Sequence, residues 1–148
     1  MEESLNFSQI KKQFEIKDLD IRTFSPLTLA YIGDSVFDII IRSIVLANGN
    51  VPVSKIHKNC SKIVCAKSQA ALIDAIFDDL SDGEKEVTLR GRNAKSKTTA
   101  KNASVLDYRK ATSLEALLGY LYMDGNIKRL YELVNLGLDR IGGIKNEK

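Results

Sequence analysis

The stretch Ser25–Leu46, SPLTLAYIGDSVFDIIIRSIVL, decides how the rest of the chain is read. It opens as a helix should. Ser25 is a good N-cap, and Pro26 at the first helical position loses only an N–H that would be unpaired anyway. Beyond them Leu27, Leu29, Tyr31, Ile32, Val36, Phe37, Ile39, Ile40, Ile41, Val45 and Leu46 place apolar side chains nearly all round. A helix apolar on almost every face is expected to be buried on almost every face, as the centre of a bundle or as an interface helix.

Gly33 and Asp34 interrupt that run. Glycine inside a helix costs about 1 kcal/mol against alanine, so Gly33 needs a packing or functional reason. Asp34 is expected to be carried into the interior, where an ionised carboxylate is costly without a cation or hydrogen bonds. Asp38 and Arg42 follow at successive i+4 steps on the same face. This spacing fits a partly solvated seam with an Asp38–Arg42 helix pair. It equally fits a metal-binding acid, which needs a second carboxylate from elsewhere in the chain.

The chain has 148 residues, enough for one domain with a real core. Its 44% hydrophobic and 28% charged content is that of a soluble globular protein, and a net charge of +3 does not by itself indicate nucleic-acid binding. The N-terminal MEESLNFSQIKKQF lacks the apolar core of a signal peptide, and Asp34, Asp38 and Arg42 break the longest apolar stretch, which argues against a membrane span. Cys60 and Cys65 have neither zinc-ligand spacing nor the makings of a disulfide framework. They are read as reduced core thiols of a cytoplasmic protein. His57, the only histidine, is expected at a partly exposed helix position with no nucleophile to serve.

No repeat and no convincing strand is visible, so the fold class is all-α, a compact bundle of about six or seven helices. Residues 1–24 form a short N-terminal helix, with Leu5, Phe7, Ile10 and Phe14 on one side, and a connector. Residues 25–141 form the main domain, and 142–148 a short tail. Ser54 is expected to cap the helix through Ile56, Cys60, Ile63 and Val64, and an apolar-periodic segment, Ala66 to Leu80, continues it or follows a kink. Ser81 and Glu84 have capping-box spacing and start a helix carrying Val87 and Leu89. Thr112 is expected to open a helix from Ser113 to Met123. Asp124-Gly125-Asn126 turns the chain into a last helix, Ile127 to Ile141.

Two further features can carry chemistry. Glu115 is the second carboxylate, although with Thr112 as N-cap it also fits a local capping box. If its helix packs on that of Asp34, the two acids could converge on one hard cation, since Mg²⁺ is commonly held by two carboxylates and several waters. Such an ion polarises a phosphodiester and acidifies water. The run Arg90-Gly91-Arg92-Asn93-Ala94-Lys95-Ser96-Lys97-Thr98-Thr99-Ala100-Lys101-Asn102 holds five basic side chains and no acidic one. It is read either as a solvated linker or as a loop that clamps phosphates.

Leu27-Thr28-Leu29-Ala30-Tyr31-Ile32-Gly33-Asp34-Ser35-Val36-Phe37 resembles the signature helix of ribonuclease III catalytic domains. The Arg90–Ser96 run and Ser113-Leu114-Glu115-Ala116-Leu117-Leu118-Gly119-Tyr120 resemble the small bacterial version, Mini-ribonuclease III. The resemblance covers most of the chain, from about Pro26 to the last helix. It implies an all-α endonuclease domain that dimerises through its signature helices. It implies Mg²⁺-dependent hydrolysis of double-stranded RNA, leaving 5′-phosphate and 3′-hydroxyl ends, and maturation of the large-subunit ribosomal RNA precursor.

By motif position, Asp34 matches the signature aspartate and Glu115 the metal-binding glutamate, with Asp38 behind them orienting water or pairing with Arg42. Full-length ribonuclease III has further acids where this chain has Leu27, Ala30 and Thr112, so fewer protein ligands and more waters are expected around the ion. The sequence runs to Lys148 without a double-stranded-RNA-binding domain. Substrate grip is therefore assigned to Arg90, Arg92, Lys95, Lys97 and Lys101, with Lys67 as an additional contact, and a ribosomal protein is a conceivable partner. The rival reading is a non-catalytic dimeric RNA-binding module of ribosome assembly that kept the fold but lost productive metal binding.

Overall fold

The computed structural model describes residues 4–94 and 104–143. Every regular element among them is helical: α1 (Phe7–Gln13), α2 (Pro26–Leu46), α3 (Val53–Val64), α4 (Ala66–Ile76), α5 (Asp82–Asn93), α6 (Val105–Met123) and α7 (Ile127–Arg140), with single 3-10 turns at Ile21–Thr23 and Phe77–Asp79. The all-α expectation holds. Helix α2 starts where the local signals place it, with the Thr28 N–H donating to Ser25 Oγ at 3.1 Å. Ser81 and Glu84 close their capping box in both directions, at 2.8 and 3.2 Å. Arg129 of α7 then grips Glu84 through two hydrogen bonds of 2.9 Å, which ties the start of α5 to α7.

The helix buried on nearly all sides is α6, not α2. Its middle, Ala111–Leu114 and Ala116–Gly119, is buried, and it packs against α2, α4, α5 and α7. Small residues make this possible, because alanine, serine and glycine let neighbouring helices come close while hydropathy alone understates their burial. Its polar groups are satisfied within the helix: Thr112 Oγ1 donates to Tyr108 O at 3.0 Å and Ser113 Oγ to Lys110 O at 2.6 Å. Helix α2 buries a single stripe, Leu29, Ala30, Gly33, Phe37, Ile41 and Val45, and leaves Tyr31 83% and Ile39 51% exposed in the single chain. Of the two expectations for α2, that of the central helix of the bundle is therefore corrected.

Other expectations fail locally. Helix α6 begins eight residues before Ser113, at Val105 with Ser104 as its cap, so Thr112 is a mid-helix residue and the Thr112–Glu115 capping box does not exist. Arg90–Asn93 belong to the last turn of α5 rather than to a loop. Ser54 caps nothing, since α3 starts at Val53 after Pro52. Cys65 sits in extended backbone between α3 and α4, and it is exposed while Cys60 is buried, so only one thiol is a core thiol. Leu5 and Phe14 are exposed on either side of α1. His57 is exposed on α3, as expected.

Packing is organised around one large apolar cluster and a small one. The large cluster joins Phe37 and Ile41 of α2 to Leu72 and Ile76 of α4, Leu114, Leu117, Leu118 and Leu121 of α6, and Leu130 and Leu133 of α7. The small cluster, Leu29, Ala30, Val87 and Ala116, closes the end where α2, α5 and α6 meet.

Candidate active site

Two glycines set the distance between α2 and α6. A Cβ on Gly33 would lie 1.7 Å from the backbone oxygen of Glu115, and one on Gly119 would lie 1.9 Å from that of Leu29. Each helix thus presses bare backbone against the other, which is the packing reason for Gly33. The neighbours of these contacts are Asp34 on α2 and Glu115 on α6. Their carboxyl groups face one another within hydrogen-bonding reach.

The pair is asymmetric. Asp34 is exposed and Glu115 is half-buried, so the expectation that Asp34 lies in the interior is corrected. The helical phase explains the reversal: Gly33 points at α6, and the next residue falls on the flank of the buried stripe. Burial drives the Glu115 carboxyl up to about 8, and the facing Asp34 carboxylate adds to the rise. Only the Gln69 side chain acts in the opposite direction. Asp38, one turn beyond Asp34, is engaged by Arg42 Nε at 3.1 Å.

Among the described residues no group of three or more acids, histidines or cysteines is arranged to hold a metal ion. The donor set is two facing carboxylates. Oxygen-only donors in that number suit a hard cation that keeps most of its water, and one carboxyl holding a proton against its neighbour marks a place where positive charge is wanted. Asp34 and Glu115 are the residues that could hold such an ion.

The cations are distributed unequally around this pair. Gly91 abuts Ala116 and Ser113, where an added Cβ would come within 3.0 Å of each, so the end of α5 lies beside the turn of α6 that carries Glu115. Arg90 and Arg92 flank Gly91 and are exposed. Lys67 is exposed on the first turn of α4, two residues before Gln69. Lys95, Lys97 and Lys101 lie outside the described residues. Gln69 was not singled out from the sequence. Its signal was a polar residue in the apolar period Gln69, Leu72, Ile73, Ile76, all of which are buried.

Residues 27–126 match the ribonuclease III domain family. The chain belongs to that family. Its relatives include the Mini-ribonuclease 3 of Thermoanaerobacter sp. (strain X514), 46% identical over 82% of this chain and 85% of the relative. The Mini-ribonuclease 3 of Streptococcus pneumoniae is 38% identical over 84% of this chain and 99% of the relative. Among solved structures, protein FN1578 from Fusobacterium nucleatum superposes with a TM-score of 0.74 at 28% identity, covering 82% of this chain and 93% of that one. The Mini-ribonuclease resemblance read from three motifs is thereby established, and with it an endoribonuclease of the ribonuclease III type. No described helix is long and apolar enough to cross a membrane.

Proposed function

We propose that this ribonuclease III-type protein is a Mg²⁺-dependent endonuclease of double-stranded RNA. On this reading it leaves 5′-phosphate and 3′-hydroxyl ends, works as a cytoplasmic homodimer, and matures the large-subunit ribosomal RNA precursor. The observation that carries the reading is the facing of Asp34 and Glu115 across the Gly33–Gly119 helix crossing. Bound between them, Mg²⁺ would supply charge to polarise a phosphodiester and acidify water for in-line attack. Glu115 must release its proton before both oxygens can serve as ligands, and Asp34 supplies the exposed, solvent-side ligand. Arg90 and Arg92, beside the same turn of α6, would neutralise phosphates of a duplex laid across the pair, with Lys67 on the α4 side. A-form RNA is held mainly through shape, 2′-hydroxyls and phosphates, so a basic surface suffices for such grip. Asp38, held by Arg42, is assigned to keep the flank of the site ordered.

The two-carboxylate donor set also favours a second reading, a dimeric RNA-binding module that does not cleave. One experiment separates the two. Labelled RNA duplex is incubated with wild type, Asp34→Asn and Glu115→Gln, with Mg²⁺ and with chelator. Metal-dependent cleavage lost in both variants, with duplex binding retained, is the expected result. No cleavage by wild type on either generic duplex or precursor ribosomal RNA would favour the binding module, and cleavage surviving both substitutions would place the site elsewhere.

A further inference from the structure

Between Asp38 and Asp74 the chain carries no aspartate or glutamate, while Arg42, Lys55, Lys58, Lys62 and Lys67 all fall within that run. Helix α3 lies wholly inside it. Lys55, Lys58 and Lys62 are spaced i, i+3 and i+7, which sets them in one row along the helix. The row is turned away from the body: Ile56, Cys60, Ile63 and Val64 meet the large apolar cluster, and the three lysines are exposed. Lys67 extends it. That lysine is exposed on the first turn of α4, and Ser68 beside it donates to Lys62 O at 2.5 Å, which holds the turn against the end of α3. Among the described residues none of the four lysines is paired with a carboxylate.

This pattern costs the helix stability. Like charges three and four residues apart repel. Lys55 also stands in the first turn, where the helix dipole favours acids and none is present. A solvated face ordinarily mixes the two signs, as α7 does with Arg129 and Glu132. An unrelieved row of cations suits instead a partner that brings its own regular row of negative charge, which is what a polynucleotide backbone presents.

We infer that α3 is a second RNA-contacting surface, in which Lys55, Lys58 and Lys62 hold phosphates of the duplex on the flank of the cleavage site. The inference rests on the reading of duplex RNA as the substrate. Helix α3 packs on α2, which carries Asp34, and on α4, which carries Lys67, so the row belongs to the same rigid body as the carboxylate pair. Lysine–phosphate contacts fix position but read no base, so the row adds affinity and alignment rather than choice of sequence.

The test measures binding of a labelled mixed-sequence RNA duplex in chelator, where metal-dependent cutting does not interfere, over a series of salt concentrations. Wild type is compared with a Lys55→Gln/Lys58→Gln/Lys62→Gln variant. A Lys12→Gln/Lys17→Gln/Lys128→Gln variant loses the same charge from exposed positions elsewhere and serves as control. Thermal unfolding reports folding, and Mn²⁺ binding reports the Asp34–Glu115 pair. The α3 variant should fold and bind Mn²⁺ as wild type does, while the slope of log affinity against log salt becomes shallower by about 2–3. Binding should weaken alike on duplexes of different sequence, and cleavage should show a raised KM with kcat retained. The control should keep the wild-type slope. An α3 variant with wild-type affinity and slope overturns the inference, and so does a control that weakens binding equally, since net charge alone would then account for it. Wild type that fails to bind duplex RNA even at low salt would instead remove the substrate reading, and the role of α3 would go with it.

Discussion

A carboxyl held half out of water beside a second carboxylate keeps its proton, and for Glu115 this raises the pKa from 4.5 to about 8. Below pH 4.5 the group is protonated in both folded and unfolded chains and contributes nothing to pH dependence. Between 4.5 and about 8 the unfolded chain ionises while the folded one does not, so metal-free stability falls as pH rises. Above that range the full cost persists. A tenfold change in proton affinity is worth about 1.4 kcal/mol, so the whole effect is several kcal/mol at most. Urea unfolding of metal-free protein at pH 6 and pH 8.5 should find it less stable at the higher pH, and Glu115→Gln should remove most of that difference. Equal stability of wild type at the two pH values would mean that Glu115 titrates normally. Glu115 and Asp34 were both legible from motif position, whereas their relative burial was not, because it depends on which flank of α2 faces α6. Gln69 was legible only as an anomaly in an apolar period.

At the level of elements, the site exists because α2 and α6 cross at backbone distance. Alanine in place of Gly33 would raise helix propensity by about 1 kcal/mol. It would also drive a methyl group into the Glu115 carbonyl, which is backbone and cannot swing aside. Overpacking of this kind typically costs about 1–3 kcal/mol, so the clash outweighs the propensity gain. Gly33→Ala and Gly119→Ala should each lower stability by about 1–2 kcal/mol net of that gain in urea titrations, and Gly33→Ala should also weaken divalent-ion binding by moving Asp34 away from Glu115. Gly83 on α5 is the control, since an added Cβ meets nothing within 4 Å and alanine there should be neutral to mildly stabilising. A stabilised Gly33→Ala protein would show that the crossing is looser than described. Local signals located the starts of α2 and α5 because Ser25, Pro26, Ser81 and Glu84 act through their own backbone neighbours. They misplaced the start of α6 because Thr112 and Glu115 have cap spacing while tertiary packing buries them mid-helix.

For the whole molecule, the feature still to be accounted for is the apolar surface of α2 that the single chain leaves uncovered. Ile32, Val36, Ile39, Ile40 and Ile44 line one side of an open groove of about 780 Å³, closed on the other side by Leu5, Ile10, Tyr122, Ile127 and Tyr131. Val36, Ile40 and Ile44 are only partly buried against the core, and Tyr31 and Ile39 are exposed, so α2 keeps an apolar face beyond its buried stripe that an interface could cover. A second copy of α2 is the proposed occupant. Light scattering should then give about twice the 16.5 kDa chain mass, and Ile39→Asp, which puts a charge on that surface, should shift the protein toward monomer. Because Asp34 and Glu115 belong to the same chain, the monomer should retain divalent-ion binding measured with Mn²⁺. Its cleavage of duplex RNA should nevertheless fall steeply, since one subunit offers half the basic surface and a single site for two strands. Wild type that is monomeric and fully active would remove the dimer from the mechanism. A monomeric variant that loses the ion as well would mean that the interface shapes the carboxylate pair rather than merely doubling it.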